Sequence, residues 1–323
     1  RKRKKNKKMS KISIVIPCFN EEENVCEIAR AIMNVMDEKL KHYQYDIIFI
    51  DNDSQDETRK LIRKLCNEYT QIKAIFNAKN FGQFNSPYYG MCQSDGDCTV
   101  LISCDFQDPV EMIPIFVDEW EKGYKIVSAI KTSSKENGFI RFLRNSYYKI
   151  IKKFSDVEQI ENFTGFGLYD KSFIEVLRNL DDTTPFLRGI VAELGYKRKN
   201  VEYQQENRRA GKTHNNWYTL YDAAMLSVTA YTKVGLRMAT FIGFFAGIIS
   251  IVLAFVYLIL KLIYWEEFVA GTAPILIAVL ILGSLLLFFM GMLGEYILTI
   301  NKRMMKRPLV IEEERINFNQ IKE

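Results

Sequence analysis

The sequence predicts an α/β fold with a mostly parallel sheet, followed by two helices long and apolar enough to cross a membrane. Three observations predict it. From Ser10 to about residue 212, short apolar runs alternate with polar stretches of helical length. Those apolar runs end in acidic clusters, and the charge-free stretches Met238–Leu260 and Phe268–Gly294 follow. Strand–helix alternation gives a sheet with helices on both faces, and a helix of about 20 apolar residues spans a bilayer. A water-soluble unit tied to such a pair implies one reactant in water and another in the membrane.

Taken in order, Lys11–Ile16 reads as a strand that Pro17 ends, and Glu21–Lys39 as a helix capped by Asn20 with glutamates in its first turn. Tyr45–Ile50 is a second strand ending at Asp51, and Asp53–Tyr69 a helix capped by Asp53 or Ser54. Ile72–Asn77 is a third strand, after which Asn80–Gln83 opens another helix. Cys98–Ser103 and Lys125–Ile130 are the fourth and fifth strands. Ligands of such sheets collect at the carboxyl ends of the strands. The residues gathered there are Pro17–Glu21, Asp51–Asp56, Asn80–Gln83 and Ser103–Asp108.

The net charge of +5 is a property of the N-terminus: Arg1–Lys8 carries seven positive charges, and removing them leaves −2. The folded part is therefore no nucleic-acid binder, and the tail reads as solvated or drawn to anionic lipid. Met9 is a candidate natural start. The six cysteines show no metal spacing and read as free thiols of a reducing compartment. No signal peptide is expected, since the run Ile12–Ile16 is too short for one. Basic residues flank the apolar pair at Lys233, Arg237, Lys302, Arg303, Lys306 and Arg307, whereas the intervening loop sets Lys261 against Glu266 and Glu267. By the positive-inside rule both ends are cytoplasmic. Trp217–Thr232 reads as an amphipathic helix along the headgroups or against the α/β domain. The resulting organisation is a basic tail (1–9), a cytoplasmic α/β domain (10–212), a juxtamembrane helix (213–236), a transmembrane hairpin (237–300) and a cytoplasmic tail (301–323).

The strand-end set is acidic, and the chain has neither GxGxxG nor GxxxxGK[ST], which excludes a dinucleotide enzyme and a P-loop NTPase. Carboxylates are hard oxygen ligands, so a nucleoside diphosphate can be held through a divalent cation instead. Asp51 is placed to accept from a base or ribose, and Asp105 with Gln107 to hold Mg²⁺ or Mn²⁺ against a pyrophosphate.

These residues carry a resemblance. Ile16-Pro17-Cys18-Phe19-Asn20-Glu21 resembles the (V/I)PxxNE opening of the family 2 glycosyltransferases, which have the Rossmann-like GT-A fold. Asp51–Thr58 looks like their DDGSxDxT segment, and Ser103–Pro109 like DADLQDP, the metal motif. Gly294-Glu295-Tyr296 and Lys306–Leu309 resemble the tail of the polyisoprenyl-phosphate glycosyltransferases, a group with the bactoprenol glucosyltransferases and, more distantly, dolichyl-phosphate mannose synthase. The resemblance implies inverting transfer of a sugar from a nucleotide sugar, UDP-glucose or UDP-N-acetylglucosamine first, to undecaprenyl or another polyprenyl phosphate. Pro17, Phe19, Glu21, Asp51, Ser103 and Asp105 would line the nucleotide sugar. Asp105 and Gln107 would bind the metal. Arg144, Arg208 and Lys212, the last two in a segment like RxAGxS/T, would contact phosphates. It further implies a multi-pass inner-membrane protein, a homo-oligomer (a tetramer), and a separate flippase acting on the product.

The sequence departs from the family pattern at Ser103, which replaces the first acid of the metal motif, and at Asn52 and Asp53. Thr164–Lys171 stands where members carry GDFRLxDR, with Gly165 at the acid and Gly167 at the arginine, so the usual base is missing. A phosphate nucleophile has a second pKa of about 6 and needs no proton removed. Asp108 and Asp170 are the remaining candidates, beside Asp105, for a catalytic carboxylate that orients the acceptor. The alternatives are a transferase with a glycolipid or protein acceptor and a catalytically degenerate membrane scaffold. A processive polysaccharide synthase would carry QxxRW, absent here.

Overall fold

A computed structural model describes residues 9–132, 160–180, 182–183, 185–206, 208–209, 234–263, 272–305 and 307–318. Arg144, Lys212 and the predicted amphipathic helix lie outside the described residues. The described parts of Arg1–Tyr148, Val157–Asn215 and Met305–Glu323 form one compact unit, and those of Asn216–Met304 belong to another.

The first unit is a GT-A type α/β domain built on one eight-stranded sheet. Its strands are β1 (Lys11–Cys18), β2 (Gln44–Asp51), β3 (Ile72–Asn77), β4 (Cys98–Leu101), β5 (Ile126–Lys131), β6 (Phe163–Asp170), β7 (Arg198–Tyr203) and β8 (Glu312–Ile316). They lie in the order β7-β5-β6-β4-β1-β2-β3-β8. β1 pairs in parallel with β2 and β4, β2 with β3, and β5 with β7. β6 runs antiparallel between β4 and β5, and β8 antiparallel to β3.

Helices α1 (Val25–Lys39), α2 (Thr58–Glu68), α3 (Gly82–Cys92), α4 (Met112–Glu121), α5 (Lys171–Asn179) and α6 (Leu187–Glu193) connect them. In α1 the residues Val25, Ile28, Ala29, Ile32, Met33 and Met36 fall on one helical face, and all are buried. They pack with Ile14, Ile16, Ile47 and Phe49 on one side of the sheet. Val15, Ile48 and Ile50 point to the other side, onto Tyr88 and Met91 of α3 and Phe173 and Leu177 of α5. The central strands are apolar on both faces, which a covered parallel sheet requires.

The sequence reading needs correction at several ends. β1 continues through Pro17 to Cys18. Its pairing with β4 stops at Val15–Leu101, so the missing N–H of Pro17 breaks no ladder there. Asn20 does not cap α1. It takes a positive φ of 55° and its side chain accepts from the Gln55 N–H, fastening the β1 loop to the β2 loop. α2 begins at Thr58, because Asp53 has φ 68° and Ser54 accepts from the Asn20 N–H. The segment read as a cytoplasmic tail contains β8, a strand of the sheet.

The second unit holds α7 (Val234–Ile263) and α8 (Thr272–Met304). At 1.5 Å per residue they extend about 45 and 50 Å, beyond the roughly 30 Å of a bilayer's hydrocarbon. Many of their described apolar side chains are exposed, Leu287 to 70%. Among the described residues one stretch, Ile281–Asn301, is long and apolar enough to cross a membrane, with mean hydropathy 1.9. It runs seven residues beyond Gly294, the end of the charge-free stretch, takes in Glu295, and stops one residue past the predicted hairpin boundary at 300.

The amino ends of the strands are joined by charge. The buried Asp46 carboxylate meets Lys11 at 2.8 Å and Lys73 at 2.5 Å, and Asp95 meets the same lysines at 2.6 and 3.4 Å. Burial pushes the Asp95 carboxyl up, but the Lys11 hydrogen bond and the Lys73 charge outweigh it and hold it at about 2. A depressed carboxylate stabilises the fold above its unfolded pKa of about 3.9 and loses that contribution as pH falls toward 2. The Asp95 side chain is 56% exposed, so screening reduces the contribution to about 1 kcal/mol. Asp95→Asn is expected to flatten the fall in melting temperature between pH 4 and 2, read by thermal unfolding across pH.

Candidate active site

The carboxyl ends of β1, β2 and β4 bring the predicted clusters together. Asn52 donates its backbone N–H to the Cys18 carbonyl at 2.9 Å, and Glu21 donates its own to Thr58 Oγ1 at 2.8 Å. Asp51 is fully buried at the tip of β2. Its Oδ2 accepts from Arg59 Nε at 2.6 Å and from the Ser54 N–H at 3.2 Å, while its Oδ1 has no hydrogen-bond partner. A buried acceptor left open costs stability unless something fills it. Pro17 and Phe19 stand at the end of β1, on the same edge of the sheet, and Pro17 lines the adjacent cavity.

After β4 the chain turns sharply through Phe106, with φ 60°. The turn directs Asp105 Oδ1 to the Gln107 N–H at 3.2 Å, and Oδ2 lies 3.6 Å from Arg208 Nε. The same guanidinium donates to Glu21 Oε1. Burial pushes the Glu21 carboxyl up, against the hydrogen bond from Asn24 and the charge of Arg208. Two carboxylates thus share one cation at the mouth of the sheet. The segment carrying Arg208 is laid along the turn by Glu206 N–H to Gln107 O and Arg209 N–H to Asp105 O, and Arg209 stacks 4.0 Å from the Phe106 ring.

This donor set fits a hard divalent cation. Mg²⁺ sites commonly use one or two carboxylates and complete the shell with phosphate oxygens and water. Asp105 supplies a carboxylate, Gln107 follows two residues on and lines the adjoining cavity, and Arg208 shows that positive charge is favoured at the carboxylate. Among the described residues no group of three or more His, Cys, Asp or Glu side chains forms a closed metal cage.

Asp108 is nearly buried and its two oxygens are engaged. Oδ2 accepts from Ser103 Oγ at 2.7 Å and from the Ser103 N–H at 3.2 Å, and Oδ1 accepts from the Tyr203 hydroxyl at 2.9 Å. Burial pushes the Asp108 carboxyl up, and the Ser103 and Tyr203 bonds oppose it. Ser103 therefore has a bracing partner five residues on. Asp170 is a correction. It pairs with Cys98 at the opposite end of β4 and caps α5 by accepting from the Ser172 N–H at 3.0 Å. Its other oxygen accepts from Trp120 Nε1 at 2.7 Å. It is a structural cap at the wrong end of the sheet for this chemistry.

A cavity of ≈ 260 Å³ adjoins the turn, lined by Pro17, Phe84, Ser103, Gln107, Asp108, Gly165 and Phe186 among others. Lys131 and Arg188 also line it, and sequence reading missed both. Lys131 ends β5 and donates to Gln205 at 2.8 Å; the strand-end rule applied to the fifth strand would have found it. Arg188 opens α6 and had no local signal. Gly165 has φ +105° and lines the cavity without a side chain, between Leu101 and Leu187. A Cβ on Gly167 would stand 2.2 Å from the Val127 carbonyl, so no arginine fits this backbone.

Residues 13–195 match the model of glycosyl transferase family 2. The chain belongs to that family. The prophage bactoprenol glucosyl transferase homolog of Escherichia coli K12 is 30% identical over 302 residues, 93% of this chain and 98% of that protein. The bactoprenol glucosyl transferase of Shigella phage SfX is 30% identical over 306 residues, 94% and 99% of the two chains. Among solved structures, glucosyl-3-phosphoglycerate synthase from Mycobacterium tuberculosis with Mn²⁺, UDP-glucose and phosphoglyceric acid has a TM-score of 0.46 and 15% identity, covering 68% of this chain and 78% of that one.

This family 2 enzyme, a hexosyltransferase, departs from the DDGSxDxT pattern at Asn52 for a structural reason. The Asn52 amide donates to Asn80 Oδ1 at 2.8 Å and to the Gly82 carbonyl at 3.3 Å, and it accepts from Asn77 Nδ2 at 3.0 Å and the Phe81 N–H at 2.9 Å. A carboxylate cannot donate. Asn52→Asp is expected to lose both donor bonds and destabilise the domain by about 1–3 kcal/mol, measured as a lower denaturation midpoint.

Proposed function

We propose that this protein transfers a hexose from a nucleoside diphosphate sugar to a polyprenyl phosphate. The observation that carries the reading is the end-to-end match to proteins named bactoprenol glucosyl transferase, which includes the apolar helices as well as the family 2 domain. The site's chemistry supports it. Asp51 Oδ1 is an open buried acceptor for a base or ribose hydroxyl, and Pro17, Phe19 and Glu21 lie at and just past the adjacent end of β1. Asp105 and Gln107 would hold Mg²⁺ or Mn²⁺ against the diphosphate, with Ser103 bracing the turn. Such an ion supplies charge stabilisation to the departing diphosphate.

The chain's own residues do the positioning. Arg208 shares the Asp105 face and meets phosphate, as would Arg144 and Lys212, and guanidinium groups suit phosphate oxygens geometrically. Lys131 and Arg188 bring positive charge to the cavity where the sugar and acceptor meet. An oxygen of the lipid phosphate attacks the anomeric carbon from the face opposite the nucleotide, its bond forming as the bond to the nucleotide oxygen breaks, with inversion. Asp105 and Asp108 are the carboxylates left at the site, Asp108 orienting the acceptor; the nucleophile needs no base.

The donor reading favours UDP-glucose or UDP-N-acetylglucosamine, and the acceptor reading undecaprenyl phosphate. α7 and α8 would cross the inner membrane with the family 2 domain cytoplasmic, leaving the product in the cytoplasmic leaflet for a separate flippase. Assembly as a homo-oligomer, a tetramer, completes the reading.

Membranes carrying the protein are expected to move radiolabel from one nucleotide sugar into undecaprenyl phosphate with Mn²⁺ and to stop with EDTA. Asp105→Asn should lower turnover about 100-fold or more, the size of loss seen when a charge-stabilising group is removed. Donor hydrolysis with no label in lipid would redirect the acceptor to a glycolipid or protein. No turnover of any donor would favour a degenerate scaffold. The pH–rate profile should rise with a single ionisation near the acceptor's second pKa of about 6 and then stay level.

A further inference from the structure

Asp51 owes its orientation to a residue more than 250 positions away, on the last strand. The Arg59 guanidinium reaches three chain segments at once. Its Nε meets Asp51 Oδ2 at 2.6 Å, Nη2 donates to the Asn77 carbonyl at 2.5 Å, and Nη1 meets Glu313 Oε2 at 2.8 Å. Asp53 lies 3.9 Å from Nη2, and the Phe76 ring centroid 5.6 Å from the guanidinium carbon. A planar fork held at both outer nitrogens has its third direction fixed, and here that direction is Asp51 Oδ2. The consequence falls on the other oxygen: Oδ1 is buried, pointed and unpartnered.

Glu313 lies on β8, which the chain reaches only after passing through α7 and α8. Its neighbours do other work. Glu314 binds Arg63 at 2.7 Å, and Glu312 accepts from Tyr89 at 2.8 Å. Among the described residues of β8, Glu313 is the acid that touches Arg59.

We propose that Glu313 and Arg59 are positioning residues that fix the Asp51 carboxylate for a nucleoside diphosphate, so that nucleotide affinity depends on the docked C-terminal strand. This rests on the reading that Asp51 meets the nucleotide. Without Glu313 the guanidinium loses one of the two partners that aim it, and Asp51 Oδ2 is held by a group free to turn. β8 is then part of the nucleotide site although it contributes no contact to the nucleotide.

The test titrates full-length protein in detergent with UDP and with GDP in the presence of Mn²⁺. Glu313→Gln is expected to raise the Kd of the nucleotide that binds by about three- to ten-fold, as coupled neighbours do. Arg59→Lys, which keeps the charge and loses the fork, should do the same or more. Glu314→Gln makes the same charge change on the same strand and should stay within about twofold of wild type. In an Asp51→Asn background, Glu313→Gln should add nothing, a non-additivity that general loosening of the domain does not produce. Equal effects of Glu313→Gln and Glu314→Gln overturn the inference, as does a Glu313→Gln loss that persists beside Asp51→Asn. Unchanged affinity in Asp51→Asn alone, or no binding of either nucleotide to wild type, would instead remove the Asp51 reading on which the inference stands.

Discussion

Carboxylates crowded at the carboxyl edge of a parallel sheet must each be compensated where water is scarce, and the site is organised by how that is done. Glu21, Asp51, Asp105 and Asp108 are all nearly or fully buried. Like charges this close repel, and desolvation adds to the cost. Arg59 answers Asp51, Arg208 answers Glu21 and Asp105 together, and Ser103 with Tyr203 answers Asp108. Each solution draws a residue from a different part of the chain.

The three compensations differ in what they leave available. Asp108 is satisfied by neutral hydroxyls at both oxygens, and the Tyr203 phenol, pushed up by burial and by Asp108, remains a donor. Asp51 is satisfied at one oxygen only, which leaves a fixed acceptor. Asp105 faces a shared cation at 3.6 Å, longer than a hydrogen bond, so its second oxygen is held only loosely. Acceptor, brace and cation face thus stand side by side, next to a cavity with two further cations, Lys131 and Arg188. The proposed reaction between two phosphate-bearing molecules would need such a balance, since neither partner tolerates an unscreened acidic wall.

The chain's path ties this edge to the rest of the molecule. It leaves the α/β domain for two long helices with exposed apolar faces and returns to add β8 beside β3. The added strand covers what would otherwise be an open sheet edge, a hazard for pairing with other chains. Three consecutive glutamates on it are taken up by Arg59, Arg63, Arg315 and Tyr89. Asn317 then anchors it by donating to the Cys66 and Ile72 carbonyls at 2.7 and 2.8 Å.

The sequence by itself determined the strands β1 to β5, the helices α1 to α3 between the first four of them and the acidic groups that follow β1, β2 and β4. Each of these is a local pattern: apolar runs of strand length, helical periodicity and a carboxylate just past the run. The long apolar helices were legible for the same reason. Only the tertiary structure decided that β6 inserts antiparallel between β4 and β5, because pairing partners far apart in sequence leave no local mark. That insertion sends Asp170 to the opposite end from Asp105, so two acids alike in sequence part company in space. It also presses Gly167 against Val127, which excludes the arginine of the family pattern. The acidic run Glu312–Glu314 reads as a solvated tail until Arg59 and Arg63 are seen opposite it. Charge compensation is a property of neighbours in space, and the sequence gives the charges without the neighbours.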